Sequence, residues 1–261
     1  MTFFLFTAAF VGGALNAVAG GGSFIGLPAL IYAGVPAVSA NATNTLALWP
    51  ASMSSAWAYR RELAAARSWV PTLGVVSLAG GILGGLLLVR TSDEVFLRLL
   101  PWLLLIAAAT FSFGSTLQRL FLAQHSAGAA TQHSAGAAQH PQPAVRHAVV
   151  MTFQFLIAVY GGYFGGGMGI MMLAALTIAG MKDLHEMNAV KSVLAVAING
   201  VALAEFVALG AIAWAPGLIM MAGGIAGGYA GAATARRVDP RLVRILVTVI
   251  AWGMTLVFFL R

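Results

Sequence analysis

The sequence predicts an all-α polytopic membrane protein built from two homologous halves of about five helical segments each, related as an inverted repeat. Each half is expected to hold a glycine-broken or re-entrant helical hairpin. Three observations predict this class. Hydrophobic residues fill 60% of the 261 positions and charged residues only 8%, with a mean hydropathy of +0.91, a balance foreign to water-soluble domains. Apolar runs recur along nearly the whole chain. Two of those runs are short, and each directly follows a cluster of three glycines.

Taken in order, the apolar runs fall at 2–19, 24–36, 45–59, 69–89, 95–118, 148–164, 168–181, 192–209, 212–233 and 242–260. A helix needs roughly 20 residues to cross the hydrocarbon, so the runs at 24–36 and 168–181 are too short to span comfortably. The others span with some tilt or local thinning. The first run ends in Ala17-Val18-Ala19, which resembles a signal-peptidase site, but no Lys or Arg precedes it, and a signal's first region is positive. It is read as part of the mature protein. Residues 1–122 form the first membrane repeat, 123–147 a flexible cytoplasmic linker and 148–261 the second repeat. The linker reading rests on "AQHSAGAATQHSAGAAQHPQP", where QHSAGAA occurs twice and no apolar periodicity supports a core. Its His125, His133 and His140 belong to that duplicated tract rather than to a metal site.

The halves resemble each other. Gly34 matches Gly180, "NATNT" at Asn41 matches "NAVKS" at Asn188, "WVP" at Trp69 matches "WAP" at Trp214, and "GGILGG" at Gly80 matches "GGIAGG" at Gly223. "LRLL" at Leu97 likewise matches "VRIL" at Val243. All five offsets lie between 143 and 147. Five segments is an odd number, so the second half enters the bilayer inverted.

Charge supports that inversion. Arg60, Arg61 and Arg67 fill one loop, while the corresponding loop at 210–213 has no charge. Arg236, Arg237 and Arg241 fill another, while its counterpart sets Arg90 against Asp93 and Glu94. With the basic loops in the cytoplasm, Arg119, Arg146, Lys182 and Lys191 fall there too, ten of the fourteen cations in all. Both termini then face outward. Trp49, Trp69, Trp102, Trp214 and Trp252 sit near run ends as interface anchors. The net charge of +7 is scattered singly, unlike a nucleic-acid-binding stripe.

The glycine clusters, Gly20, Gly21 and Gly22 and then Gly165, Gly166 and Gly167, mark where the backbone turns back. Non-helical backbone at membrane depth survives only where protein or a water-filled cavity covers it, and glycine permits the angles and the close approach. Helix starts at such breaks offer N–H groups and a positive dipole end to an anion. Paired breaks in two halves point to a central substrate site. Beside them, Asn41, Thr43, Asn44 and Thr45 supply amide and hydroxyl donors, and Asn188, Lys191 and Ser192 the mirrored set with one fixed positive charge. Asn199 and Ser52, each eleven residues farther along, line the path or bond between helices. The candidate substrate-binding set is therefore Asn41, Thr43, Asn44, Thr45, Asn188, Lys191, Ser192 and Asn199 with the six glycines.

These residues carry a resemblance. "GGGSFIGLPALIYAGVP", "ANATNTLALWP" and "AYRREL" in the first half, with "GGYFGGGMGIMMLAAL" and "HEMNAVKSVLAVAIN" in the second, are similar to the TauE/SafE sulfite exporter family of the toluene-sulfonate uptake permease superfamily. The resemblance implies a multi-pass secondary transporter of the bacterial inner membrane, moving small sulfur-containing or organic anions such as sulfite, sulfonates or thiosulfate, bound near the midplane between the two motifs. It leaves the anion, the direction and the coupling ion open.

Other chemistry is thin. Glu205 is the one carboxylate well inside an apolar run. Such an acid is a proton-relay candidate by default, but near a helix end it reads as interfacial. His185 reads as a solvated loop residue. The run Gly165 to Gly169 lacks the Lys-Ser/Thr of a nucleotide loop. With no cysteine and no pair of intramembrane Asp, Glu or His, a membrane-embedded enzyme lacks its reactive groups. A passive anion channel of the same architecture stays open as the alternative. No cofactor, metal or nucleic acid is expected; the partners are the anionic substrate and the lipid bilayer, with a homo-oligomer left open.

Overall fold

A computed structural model of the chain describes residues 1–18, 21–131, 143–181, 183–234 and 240–260. Among them are eleven α-helices: α1 Thr2–Val18, α2 Ser23–Tyr32, α3 Ala37–Ala58, α4 Arg60–Ala65, α5 Val70–Arg90, α6 Asp93–Thr131, α7 Pro143–Tyr163, α8 Met168–Ile178, α9 Leu184–Ala208, α10 Trp214–Thr234 and α11 Pro240–Phe259. Val70–Arg90, Asp93–Phe113 and Leu184–Ala208 are by themselves long and apolar enough to cross a membrane. The many large apolar side chains left exposed, among them Phe3, Trp57, Leu156, Val249 and Leu256, have lipid as their natural solvent.

The two short runs become the two short helices, α2 of 10 residues and α8 of 11. The chain doubles back before each. Gly22 lies against the backbone of Gly12 and the side chain of Asn16, while the rings of Phe4 and Tyr32 meet at 5.6 Å. The start of α2 thus faces the end of α1 and its end faces the start of α1, an antiparallel hairpin. In the second hairpin Gly161, near the end of α7, lies against Met168 at the start of α8.

The two breaks use glycine differently. Gly165 and Gly167 have φ of +82° and +78°, the left-handed region that L side chains avoid. Gly22 has φ of −60°, so an ordinary residue could adopt its angles. What it needs is the absence of a Cβ, since one there would lie 2.6 Å from the Gly12 carbonyl oxygen. Gly21 is likewise close-packed, against Val247. Gly20 lies outside the described residues.

Glycine also sets the main helix contacts. Gly13, Gly223, Gly227 and Gly231 bring the backbones of α1 and α10 together, and Gly80, Gly84 and Gly162 do the same for α5 and α7. Small residues of this kind let helices approach closely enough for dispersion to hold them where lipid removes the hydrophobic drive. Around these pairs α5 packs on α9, α3 on α10, α3 on α9, and α6 on α11.

Two readings change. The loop at 60–67 contains the short helix α4, because Arg-Arg-Glu-Leu-Ala-Ala is rich in strong helix formers. The tract read as a flexible linker is helical in its first part, where α6 runs on to Thr131, carried by the same high propensity of its alanines. Residues 132–142 lie outside the described residues, and the side chains of His125, His133 and His140 are not described.

Candidate anion site

The site is built from α3, α9 and the two hairpin breaks. α3 carries an unusual load for an apolar chain: Asn41, Thr43 and Asn44 are all buried. α3 and α9 run antiparallel at their contact, where Trp49 Nε1 donates to the Val196 carbonyl at 3.2 Å and the hydroxyls of Ser55 and Ser192 meet at 3.2 Å. Between these helices and the breaks lies a cavity of about 140 Å³, well under the roughly 300 to 1,000 Å³ of sites for drug-sized ligands. A second, larger pocket between α1, α2 and α11 is lined by Phe4, Phe24, Tyr32, Met254 and Phe258 and offers almost nothing polar.

Asn44, Thr45 and Ser52 of α3, Lys191, Ser192 and Asn199 of α9, and Gly165 and Gly167 of the second break all line the small cavity. So do the starts of both short helices, through Ser23 on one side and Met168 and Gly169 on the other. The first-turn N–H groups of a helix have no intrahelical partner and carry the positive end of its dipole. Two such helix starts, from opposite ends of the sequence, therefore meet at one place.

Lys191 is the one cation of the wall. Its Nζ donates to Asn188 Oδ1 at 2.9 Å, and among the described residues no carboxylate lies within ion-pair reach of it. Asn188 in turn is fixed by its Nδ2, which donates to the Leu184 carbonyl at 2.7 Å. The amide thus orients the ammonium from beside the cavity. Asn44 sits with Oδ1 buried against Gly26, without a hydrogen-bond partner among the described residues. A side chain at position 26 would push that amide out of place.

Of the other predicted residues, Gly21, Gly22, Asn41, Thr43 and Gly166 also lie outside the cavity wall. Asn41 Nδ2 donates to the Tyr163 carbonyl at 2.8 Å, satisfying a carbonyl that the end of α7 leaves open. Thr43 Oγ1 accepts from the Ala213 N–H at 3.0 Å, at the start of α10. Gly166 packs under the Phe164 ring, and its carbonyl accepts from Tyr160 Oη at 2.7 Å. Gly22 closes the first hairpin as described above. Asn41, Gly166 and Gly22 thus brace the two breaks, and Thr43 the start of α10.

Asn16, Ser23, Ser55, Phe164 and Met168 also line the cavity, and the motif comparison between halves passed over them. Asn16 had a signal in the sequence, being the lone amide of its apolar run four residues before a glycine cluster. Ser55 lies one turn beyond Ser52 and shares its face. Phe164 and Met168 give no polar signal at all.

Comparison with known proteins agrees with a transporter. The family model described as "Sulfite exporter TauE/SafE" matches residues 5–258. A Sinorhizobium protein named "Probable membrane transporter protein ORF9" is 29% identical over 255 residues, covering 97% of this chain and 90% of the relative. A Haemophilus influenzae protein named "Probable membrane transporter protein" is 29% identical over 252 residues, covering 96% and 91%. The Escherichia coli K12 "Probable membrane transporter protein YfcA" is 24% identical over 256 residues, covering 96% and 87%. No solved structure matches the chain.

Proposed function

The chain belongs to the sulfite exporter TauE/SafE family and is therefore a multi-pass membrane transporter and not an enzyme; on that premise we propose that it carries small sulfur-containing or organic anions of the sulfite, sulfonate and thiosulfate class across the bacterial inner membrane. The anion binds in the small cavity between the two hairpin breaks, near the bilayer midplane.

The observation that carries this reading is the Lys191 ammonium in the cavity wall, with no carboxylate partner among the described residues. A half-buried cation without a counter-charge loses part of its hydration, a cost that a bound anion offsets. Here two helix starts and the hydroxyl and amide groups of Ser23, Asn44, Thr45 and Ser192 surround the same space. Such a set, with the Lys191 ammonium beside it, offers donors to several oxygens of one small oxyanion.

The helix contacts support an inverted repeat. Exchanging α1, α2, α3, α5 and α6 for α7, α8, α9, α10 and α11 turns the α1–α10 contact into α7–α5, the α3–α10 contact into α9–α5, and the α2–α11 contact into α8–α6, all of which exist. The α3–α9 and α6–α11 contacts exchange with themselves. Trp49 and Val196, which meet at the α3–α9 contact, are 147 residues apart, the offset of the Asn41 and Asn188 motifs. In this arrangement each half supplies one re-entrant hairpin to a shared site, with basic loops on the cytoplasmic side.

Counterflow in proteoliposomes tests the proposal. Protein preloaded with unlabelled sulfite is expected to take up radiolabelled sulfite transiently, with saturation, and with competition from thiosulfate or sulfoacetate but not from uncharged solutes. Unsaturable, voltage-driven current without counterflow would instead establish a passive channel.

A further inference from the structure

We propose that Glu205 is a proton-binding site that couples proton movement to anion transport; this rests on the transporter reading above. α9 carries two ionisable side chains beyond its first turn, Lys191 in the anion cavity and Glu205 near its other end. They stand 14 residues apart, about 21 Å along the axis and within about 40° of each other around it. That separation is far beyond the roughly 4 to 6 Å over which an opposite charge holds a carboxyl ionised, so the two do not pair.

Glu205 does not sit as an interfacial carboxylate would, with both oxygens in water. Its Oε2 is buried and has no hydrogen-bond partner among the described residues. It faces Gly85 of α5, where a Cβ would collide with it, and Gly85 also packs on Ala202, one turn back on α9. A buried carboxylate oxygen with neither donor nor cation among the described residues calls for explanation, and a proton is the one ligand that neutralises it without needing space.

The charged and titratable groups around it lie elsewhere. α5 brings Arg90 at its exposed end. α7 brings Tyr160, bonded to the Gly166 and Leu103 carbonyls, and Tyr163, bonded to Thr91 Oγ1. α3 brings only Tyr59, at its far end, and α8 brings none. α4 brings Arg60, Arg61 and Glu62, beside the start of α9, where His185 and Glu186 also lie. At the near end, Asp93 accepts from the Val38 N–H and Glu94 pairs with Arg98.

The same face of α5 connects Glu205 to the anion cavity. Gly81, one turn before Gly85, packs on Ile198 of α9 and on Gly162 of α7, and Gly84 packs on Val159 and Tyr163. Tyr163 accepts the Asn41 bond, and the next two residues, Phe164 and Gly165, line the cavity. Any shift of α5 against α9 on loading or unloading a proton is therefore felt at the second break. The charges balance for a monoanion: one negative charge beside Lys191 and a proton on Glu205 cross together with no net charge moved, whereas a dianion crossing with one proton carries one net negative charge; the proton is taken from water on one side and returned on the other.

The test uses purified full-length protein in proteoliposomes containing a pH-sensitive dye, given sulfite, thiosulfate and sulfoacetate in turn. The wild type is expected to move protons only when an anion moves. Glu205→Gln should lose that proton flux while counterflow at equal pH persists, and Glu205→Asp should keep it. Anion-dependent proton flux in Glu205→Gln at the wild-type rate, or wild-type anion movement without protons, would overturn the proposal. If the wild type exchanges no anion at all, the transport reading fails, and infrared spectra of the reconstituted protein decide on Glu205 alone. A carboxylic-acid band that grows as pH is lowered and is missing from Glu205→Gln supports a proton site there; identical spectra overturn it.

Discussion

Lys191 Nζ and Asn188 Oδ1 meet at 2.9 Å, one turn apart on α9, and the pair is a cation held by a neutral acceptor. Replacing Asn188 by Asp keeps the shape and supplies the carboxylate that the ammonium lacks. The internal ion pair then competes with the bound anion. The expected result is a KM for anion counterflow raised about tenfold or more, since hydrogen bonds to charged groups are worth roughly 1.5 to 3 kcal/mol.

Gly165 stands at φ +82°, and a Cβ there would meet its nearest neighbours only at 3.3 and 3.9 Å, so its conformation limits substitution more than its surroundings do. Left-handed backbone costs an ordinary residue about 1 to 2 kcal/mol, less for Asn and more for a β-branched side chain. Thermal unfolding in detergent should therefore rank wild type above Gly165→Asn, and Gly165→Asn above Gly165→Val. Equal stabilities would show that the turn is not held as described.

Tyr160 ties the second break from beneath, through its hydroxyl to the Gly166 and Leu103 carbonyls, while its ring packs on Phe164 at 5.9 Å between centroids. Tyr160→Phe preserves the ring contact and deletes only the hydroxyl. Leaving a buried carbonyl unpaired costs about 1 to 3 kcal/mol. A lower Tm together with a lower transport rate is expected, and an unchanged Tm would exclude the hydroxyl as a brace.

Asp183 caps α9 just outside the membrane-spanning stretch, accepting from the backbone N–H groups of Glu186 and His185, and these bonds hold its carboxyl below the usual carboxylate range. A lowered folded-state value means that the cap's contribution is complete above the ordinary carboxylate pKa. It disappears as pH falls through the folded-state value. Asp183→Ala should therefore lower Tm at neutral pH, with the difference from wild type vanishing in acid.

The chain has no native cysteine, so single introduced thiols report topology without background. Ala64→Cys and Val238→Cys are expected to react from the cytoplasm, and Ser92→Cys and Leu209→Cys from outside. Labelling of positions 64 and 238 from opposite sides would break the inverted arrangement.

Much of this was legible in the sequence because membrane packing writes itself in glycine and polarity. A run too short to span, placed directly after three glycines, has few structural options, and both such runs became short helices after a break. The polar residues of α3 and α9 were equally visible, since amides and a lysine are rare in apolar segments. Their division of labour was not. Asn41 and Thr43 bond to backbone at helix ends far away in sequence, and no local pattern separates those uses from lining a cavity. The glycine code was also ambiguous: Gly165 and Gly22 look alike as letters, yet one supplies a backbone angle and the other an absent Cβ. Helix α4 and the extension of α6 were missed because charge and low complexity masked strong helix propensity.

Concentration-dependent sulfite counterflow by Lys191→Met beside the wild type tests most directly whether the Lys191 cavity binds the transported anion. A folded variant whose KM rises about 10- to 100-fold is expected, the loss of one charged hydrogen bond. Saturable counterflow with an unchanged KM in that variant would remove Lys191, and the cavity with it, from the anion site.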